Sequence, residues 1–437
     1  MASINLAGNR SERLNGAQLY MFAVLALVYA CHLIDRTIIL VLLEPIKHQF
    51  SLNDTQLGML SGLIFALGTL IAALPLGTLA DRHSRKMLLA GCIAVWSGMT
   101  VLCGFATGFL SLLFYRMLVG MAEAGLQPTA LSMMADEARE SQRPKAVAIV
   151  HIGIPIGTLL GFLLGGWVAT NLGWQQALLL VGAPGILLAA VVLLTLREPV
   201  RQRTSSGEAG KDVPTSEFFR LLWRSKPLLH VVVGLVLLWL CTSSTSAWMP
   251  SFFIRMYGVD LTTVGLIMSL SAGGAGLVGN TLSGYLAQKV GGDRKDRLML
   301  LAAGGAFCYF PLALVTLLSS SLILSVVTHF TQTIFYFMVF TPGYALAMDL
   351  ADVRIRARTA ALVSMGATAI GYGLGPQIVG FGSDLLRPIF DAQSLRWALV
   401  LMMLTVLWCG SHFILAWRHL SNESSAGEPH RNPAPHA

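Results

Sequence analysis

Four ionisable residues sit where ionisable residues are expensive. Asp35 and Arg36 are adjacent near one end of an almost wholly apolar run, 20–43, and Arg116 and Glu123 lie inside another, 109–133. A charge held at that depth in hydrocarbon costs about 2.5–3.5 kcal/mol on insertion scales, so these side chains are expected to face a protein interior or a wet cavity. Arg116, Gly120, Glu123 and Gln127 share one helical face by their spacing, with a glycine notch between the charges. Arg116 and Glu123 are about 10 Å apart along the helix axis, too far to pair with each other. Counted from the same end of their runs, Asp35 and Arg116 lie at similar depth and Glu123 lies deeper. Asp35 is therefore expected to pair with Arg116. Arg36 is left to reach Glu123 or to hold an anion, and its fork of donors suits carboxylate, sulfonate or phosphate. Glu123 is the candidate proton carrier, and protonating it would free Arg36 for the anion. The competing reading is a fixed ion-pair network that only holds helices together.

Other polar residues are arranged around these four. His32, three residues before Asp35, is placed to modulate it or a proton path, and His151 lies at the end of another run, where substrate contact and plain packing are both open. The second half of the chain carries no buried carboxylate to match. It offers a hydroxyl run from Thr242 through Thr245 to Ser246, and His329, Gln332 and Tyr336 on one helical face beside Thr333. That face serves either a cavity or helix–helix hydrogen bonding.

Composition fixes the class of protein that must position these groups. Of 437 residues, 55% are hydrophobic and 12% charged, against about 25% charged in ordinary soluble domains. Twelve apolar runs are long enough to span a bilayer: 20–43, 57–79, 87–106, 109–133, 146–168, 176–196, 228–249, 262–287, 298–317, 322–347, 359–381 and 397–417. The first is too long for a signal-peptide core and is expected to stay in the mature chain. Of the 30 Lys and Arg, Arg36 and Arg116 lie within runs, and only Lys47, Arg255, Arg387 and Arg396 fall on one side of the twelve. The positive-inside rule then places both termini in the cytoplasm. The net charge of +8 thus reports topology, and no nucleic-acid partner is expected. The six cysteines fall inside apolar runs with no metal or disulfide spacing.

Residues 1–196 and 228–417 read as two six-helix halves, 197–227 as a flexible cytoplasmic linker and 418–437 as a disordered tail. The halves repeat. Thr55-Gln-Leu-Gly58 is echoed 207 positions later by Thr262-Thr-Val-Gly265, and Gly77-Thr-Leu-Ala80 by Gly284-Tyr-Leu-Ala287 at the same offset. The fifth run carries Gly153, Gly157, Gly161 and Gly165 as a stripe for close helix contact.

The stretch Gly77-Thr-Leu-Ala-Asp81-Arg82-His-Ser-Arg85-Lys86 resembles the hallmark loop of the major facilitator superfamily, with Ser84 where the family has Gly. In the second half the loop is degenerate at Gln288 and Lys289. The resemblance implies a gate at the cytoplasmic mouth, in which Gly77 permits close helix contact and Asp81, Arg82, Arg85 and Lys86 exchange partners. Within that superfamily, residues 30–200 resemble the Spinster branch. The residues that carry this are Asp35-Arg36, Asp54-Thr-Gln-Leu-Gly58, the run from Arg116 to Glu123, Ile154-Pro-Ile-Gly157 and Leu196-Arg-Glu-Pro199. The second half matches at superfamily level, in Gly371-Tyr-Gly-Leu-Gly375-Pro376. The resemblance implies an all-α twelve-helix fold whose first, fourth, seventh and tenth spans line a cavity, and substrates such as lysolipids or other amphiphiles, often moved with protons. Pro155, where many antiporters carry a Gly-Pro pair, favours uptake or symport.

The expectation is a proton-coupled secondary transporter of a small organic or amphiphilic anion in a plasma membrane, the bacterial inner membrane, acting as a monomer. The alternatives are a proton-antiport exporter of drugs or lysolipids and a non-transporting sensor of the same fold. No nucleophile with its base, metal-ligand spacing or phosphate-binding glycine loop is present, so no enzyme activity, cofactor or metal is expected.

Overall fold

The computed structural model describes residues 14–200, 213–292 and 294–426, and no strand occurs among the described residues. Ten successive helical segments are each long and apolar enough to cross a bilayer. They are the first span Gly16–Val41, second Asp54–Arg82, third Arg85–Gly104, fourth Phe109–Glu137, fifth Glu140–Leu172, sixth Trp174–Thr195, seventh Lys226–Tyr257, eighth Leu261–Gly291, ninth Lys295–Leu318 and tenth Leu322–Leu350. The remaining apolar stretch, Arg356–Asn422, has 67 residues, roughly 100 Å if straight and about three times a hydrocarbon core. It folds back at the single turn Asp391–Gln393, where Asp391 takes φ 45°. The result is an eleventh span, 356–390, and a twelfth, Ser394–Ala426. Twelve crossings leave Leu14, Val200, Val213 and Ala426 at one end, here the linker end; the opposite end is the far end.

Local sequence explains where several spans begin. Asn15 Oδ1 accepts the Gln18 N–H at 2.8 Å while Gln18 Oε1 accepts the Asn15 N–H at 3.0 Å. Asn53 and Gln56 repeat this reciprocal cap at the second span, and Asp260 Oδ1 accepts the Thr263 N–H at 2.6 Å at the eighth. Asn53 and Asp260 stand at the offset of the sequence repeat, so corresponding helices of the two halves start with equivalent caps.

The helices are not straight where they flank the middle of the bundle. Wide π-helical turns occupy Met59–Leu63, Ser269–Gly274 and Ala367–Leu374. The fourth span is interrupted after Glu123 and resumes at Leu126, because Pro128 lacks an N–H and its ring opposes a continuous helix through Ala124. Gln127 lies just beyond this interruption and is exposed, whereas Arg116 and Glu123 are buried.

Glycines set the closest contacts. The stripe of the fifth span lies on the backbone of the first: a Cβ on Gly157 would come within 2.7 Å of Ala30 Cα, and one on Gly161 within 2.9 Å of Ile34 Cα. Gly157→Leu is expected to destabilise the protein by about 1–3 kcal/mol or more, because backbone atoms cannot give way as a flexible side chain would. A lower melting temperature and folded yield in detergent would show it; an unchanged melting temperature would refute the close approach. Between the halves, Gly62 lies against Tyr372 and Pro376, and Gly166 against Gly265.

Two connecting segments differ from their sequence reading. Within 197–227, Thr215–Arg224 is a helix whose Phe218 and Leu222, four residues apart, are buried in the core of the second half. Residues 201–212 of that linker lie outside the described residues. The twelfth span continues past Trp417 to Ala426, held there by contacts such as His419 stacking on His230 at 5.5 Å. The part of the expected tail from 427 to 437 lies outside the described residues.

Candidate functional site: a charged pocket beside an aromatic cavity

The first and fourth spans bring Asp35 and Arg116 together in a setting where each is 2–3% exposed. Arg116 Nη1 donates to Asp35 Oδ2 at 3.3 Å, and the Thr100 hydroxyl of the third span hydrogen-bonds Asp35 Oδ1. Phe65 of the second span lies beneath the guanidinium, 5.3 Å from its carbon.

Glu123 is equally buried, and its partner is His32 rather than Arg36: His32 Nδ1 stands 2.9 Å from Glu123 Oε2. The pair is close without hydrogen-bond alignment, and neither carboxylate oxygen has a hydrogen-bond donor. The reason histidine takes this place is depth. Glu123 lies about 10 Å from Arg116 toward the linker end, and His32 is displaced about one turn from Arg36 in that same direction, which brings its ring nearer to the carboxylate. Trp96 closes this corner, its ring 6.4 Å from that of His32.

Arg36 makes no ion pair among the described residues. Its guanidinium carbon sits 3.7 Å from the ring centroid of Tyr372, on the eleventh span, and 5.2 Å from that of Phe65. Arg36 also lines a pocket of about 40 Å³, together with Ser61, Arg116, Ser243 and Ser246. That pocket adjoins a larger cavity of about 250 Å³, with Ser243, Ser246 and Tyr372 as their shared wall. The larger cavity is lined by the hydroxyls of Thr242 and Thr245, by Trp239, and by His329, Gln332 and Tyr336 of the tenth span. Gln332 Nε2 and His329 Nδ1 are 2.7 Å apart, and the Thr316 hydroxyl donates to Gln332 Oε1 at 3.3 Å. The tenth-span polar face thus serves both helix packing and the cavity. His151 is apart from this site, its ring exposed and 5.6 Å from Tyr29.

At the linker end, Arg85 is buried, with Nε donating to Glu198 Oε1 at 3.1 Å, Nη2 to the Pro199 carbonyl at 2.8 Å and Nη1 to Ser132 and Asp136. Glu198 also accepts from the Ser84 hydroxyl at 2.6 Å and the Lys86 N–H at 2.9 Å. Burial pushes the Glu198 carboxyl up, but these hydrogen bonds outweigh it and hold the group below the usual carboxylate range. Asp81 and Arg82 are exposed. Gly77 departs from its expected role in close helix contact: nothing lies within 4 Å of a Cβ placed there, and the same holds for Gly284, its repeat counterpart. Open space lies beside both glycines at this level, so neither has a helix to approach.

The far end holds a lock that the sequence reading did not single out. Arg255 of the seventh span donates to Glu44 Oε1 at 2.7 Å and to both oxygens of Asp54 at 2.7 Å, joining the two halves. Lys47 and the Ser383 hydroxyl add to Asp54 at 2.5 and 2.6 Å. Asp384, from the second half, accepts the N–H groups of Asp54 and Thr55 at 3.1 and 2.7 Å, an anion seated on the N-terminus of the second span.

Residues 25–376 match the profile of the Major Facilitator Superfamily. An MFS-type efflux pump of Mycolicibacterium smegmatis is 31% identical over 386 residues, 87% of this chain and 88% of that one. Human protein spinster homolog 1 is 30% identical over 249 residues, 55% of this chain and 46% of that one. Among solved structures, a bacterial homologue of the human lysosomal transporter Spinster, inward-facing and unoccupied, superposes with a TM-score of 0.84 at 25% identity, covering 94% of this chain and 99% of that one.

Proposed function

The chain belongs to the major facilitator superfamily, in its Spinster-like branch, and on that premise we propose that it is a proton-coupled secondary transporter of a small organic anion. Membrane transport follows from the family; the anion, the proton and the direction are the reading argued here. The observation that carries it is Arg36, a guanidinium that lies against aromatic rings, has no ion pair among the described residues and lines a pocket together with Arg116. A carboxylate, sulfonate or phosphate supplies acceptors for its N–H groups. The distribution of Lys and Arg supports a cytoplasmic linker end. On that orientation the far-end lock and the open space at the linker end correspond to an inward-facing state. A monomer suffices, because both halves of the site come from one chain.

Proton coupling is assigned to Glu123 and His32. Protonating Glu123 removes the negative charge nearest to Arg36 that no strong donor holds, which raises the affinity of Arg36 for an anion. By linkage, anion binding then raises the affinity for the proton, and the two travel together. A second reading, export by antiport, is supported by the efflux pump named above. Flux in oriented vesicles under an imposed pH gradient separates the two.

Arg36→Ala tests the anion site. Anion exchange in proteoliposomes is expected to fall by about 10- to 100-fold, in line with about 1.5–3 kcal/mol for a hydrogen bond to a charged group. Full exchange by the variant would remove Arg36 from the binding site.

A further inference from the structure

Several aromatic rings line the cavity beside Arg36, and we propose that it selects flat aromatic anions, with an acidic group attached directly to a one- or two-ring system. This rests on the anion reading above and narrows it. Tyr372, which stacks on Arg36, is also part of the wall of the larger cavity. Its ring centroid is 5.3 Å from that of Trp239, and Trp239 in turn stands 6.3 Å from Tyr336, edge to face. An acid held by Arg36 therefore places its first few carbon atoms beside Tyr372, with Ser243 and Ser246 alongside and Trp239 beyond in the larger cavity.

These rings are fixed in place. Tyr372 lies in the π-helical stretch Ala367–Leu374 between two glycines, and a Cβ on Gly371 would meet Trp239 Cβ at 3.0 Å. On the other side, Gly62 packs against the Tyr372 backbone. A wall held this rigidly favours a flat ligand with a π face, because offset and edge-to-face aromatic contacts add to simple burial. The size of the cavity points the same way. About 250 Å³ falls at or below the lower limit of drug-sized sites, which accommodates one or two rings and not the acyl chain of a lysophospholipid. The polar residues lining it, Thr245 and His329 among them, accommodate a ring hydroxyl or amine.

The test uses the full-length protein in detergent and in proteoliposomes, with matched acids as probes. Benzoate is compared with cyclohexanecarboxylate, 2-naphthoate with octanoate, and lysophosphatidylglycerol is the lipid probe. Binding is read by calorimetry and by thermal shift. The aromatic acid of each pair is expected to bind about tenfold more tightly, the scale of one or two aromatic contacts. Trp239→Leu should bring the affinity ratio of aromatic to saturated acid within each pair down toward one, and Trp239→Phe should restore most of it. Equal affinities within both pairs, with binding still lost in Arg36→Ala, would overturn the aromatic proposal and leave the anion reading standing. Tighter binding of lysophosphatidylglycerol than of either aromatic acid would also overturn it. Binding of no acid, or binding indifferent to Arg36→Ala, would overturn the anion reading and this proposal together. The probe comparison on the wild-type protein decides the matter even where Trp239→Leu fails to fold.

Discussion

Asp54→Ala is expected to open the far end and to collapse transport. Asp54 accepts from Arg255 through both oxygens, from Lys47 and from Ser383, so it is the point where three segments of the second half and the first half are tied. Asp54→Ala removes hydrogen bonds to charged groups worth about 1.5–3 kcal/mol, while Glu44 continues to compensate Arg255. That penalty falls on the far-end-closed conformation, where Arg255 is only 16% exposed, and not on one in which the halves have parted and Arg255 is hydrated. A bias of that size changes a two-state population ratio by roughly one to two orders of magnitude. Spin labels at His48 and Arg387, both exposed at the far end on opposite halves, should report a longer separation in Asp54→Ala than in wild type. Net transport should fall at least about tenfold, since the cycle requires both conformations to be visited. An unchanged spin–spin distance would show that the lock does not hold the far end closed. Asp384→Asn should give a smaller shift, because an amide oxygen still accepts from the Thr55 N–H while the charge at the helix N-terminus is lost.

The difference between this lock and the central pair shows what a single sequence can carry. Asp35 and Arg116 were legible because charges in apolar runs are rare enough that depth alone matches them. Glu44, Asp54, Lys47 and Arg255 lie at span ends, where charges are common, and there Lys47 and Arg255 read as markers of topology. The signal that was present is the crowding of acids on a side poor in charge, with Asp384 just beyond the eleventh apolar run. The partnership of Arg255 with Asp54, across 201 positions, has no local signature.

His32 and Glu123 failed for a different reason. Charge favoured Arg36 as the partner, whereas geometry decided for the residue at the right depth. Backbone irregularity was the least visible feature. The π turns at Met59–Leu63 and Ala367–Leu374 have the same apolar composition as regular helix, and only the glycines of Gly371-Tyr-Gly-Leu-Gly375 hinted that Tyr372 would be displaced onto Arg36. The twelve crossings, by contrast, follow from length and hydropathy.

Glu123→Gln should separate proton coupling from transport itself. The amide keeps the size of the side chain but cannot carry a proton, so the empty and loaded carriers still interconvert while the gradient loses its handle. Substrate counterflow at equal pH on both sides is expected to stay within about threefold of wild type, and accumulation driven by a pH gradient to fall at least about tenfold, within the range of ordinary coupling free energies. A fixed structural pair predicts another outcome: loss of Glu123 would strand His32 and lower counterflow and accumulation alike, together with the melting temperature. His32→Gln distinguishes the members of the pair. If Glu123 alone carries the proton, removing His32 shifts the pH at which uptake is half-maximal without abolishing its pH dependence, because the imidazole only biases the carboxylate 2.9 Å away. Gradient-driven accumulation by Glu123→Gln equal to wild type would assign the coupling elsewhere, and Asp35 would be the next carboxylate to test, since Arg116 and Thr100 already hold both of its oxygens.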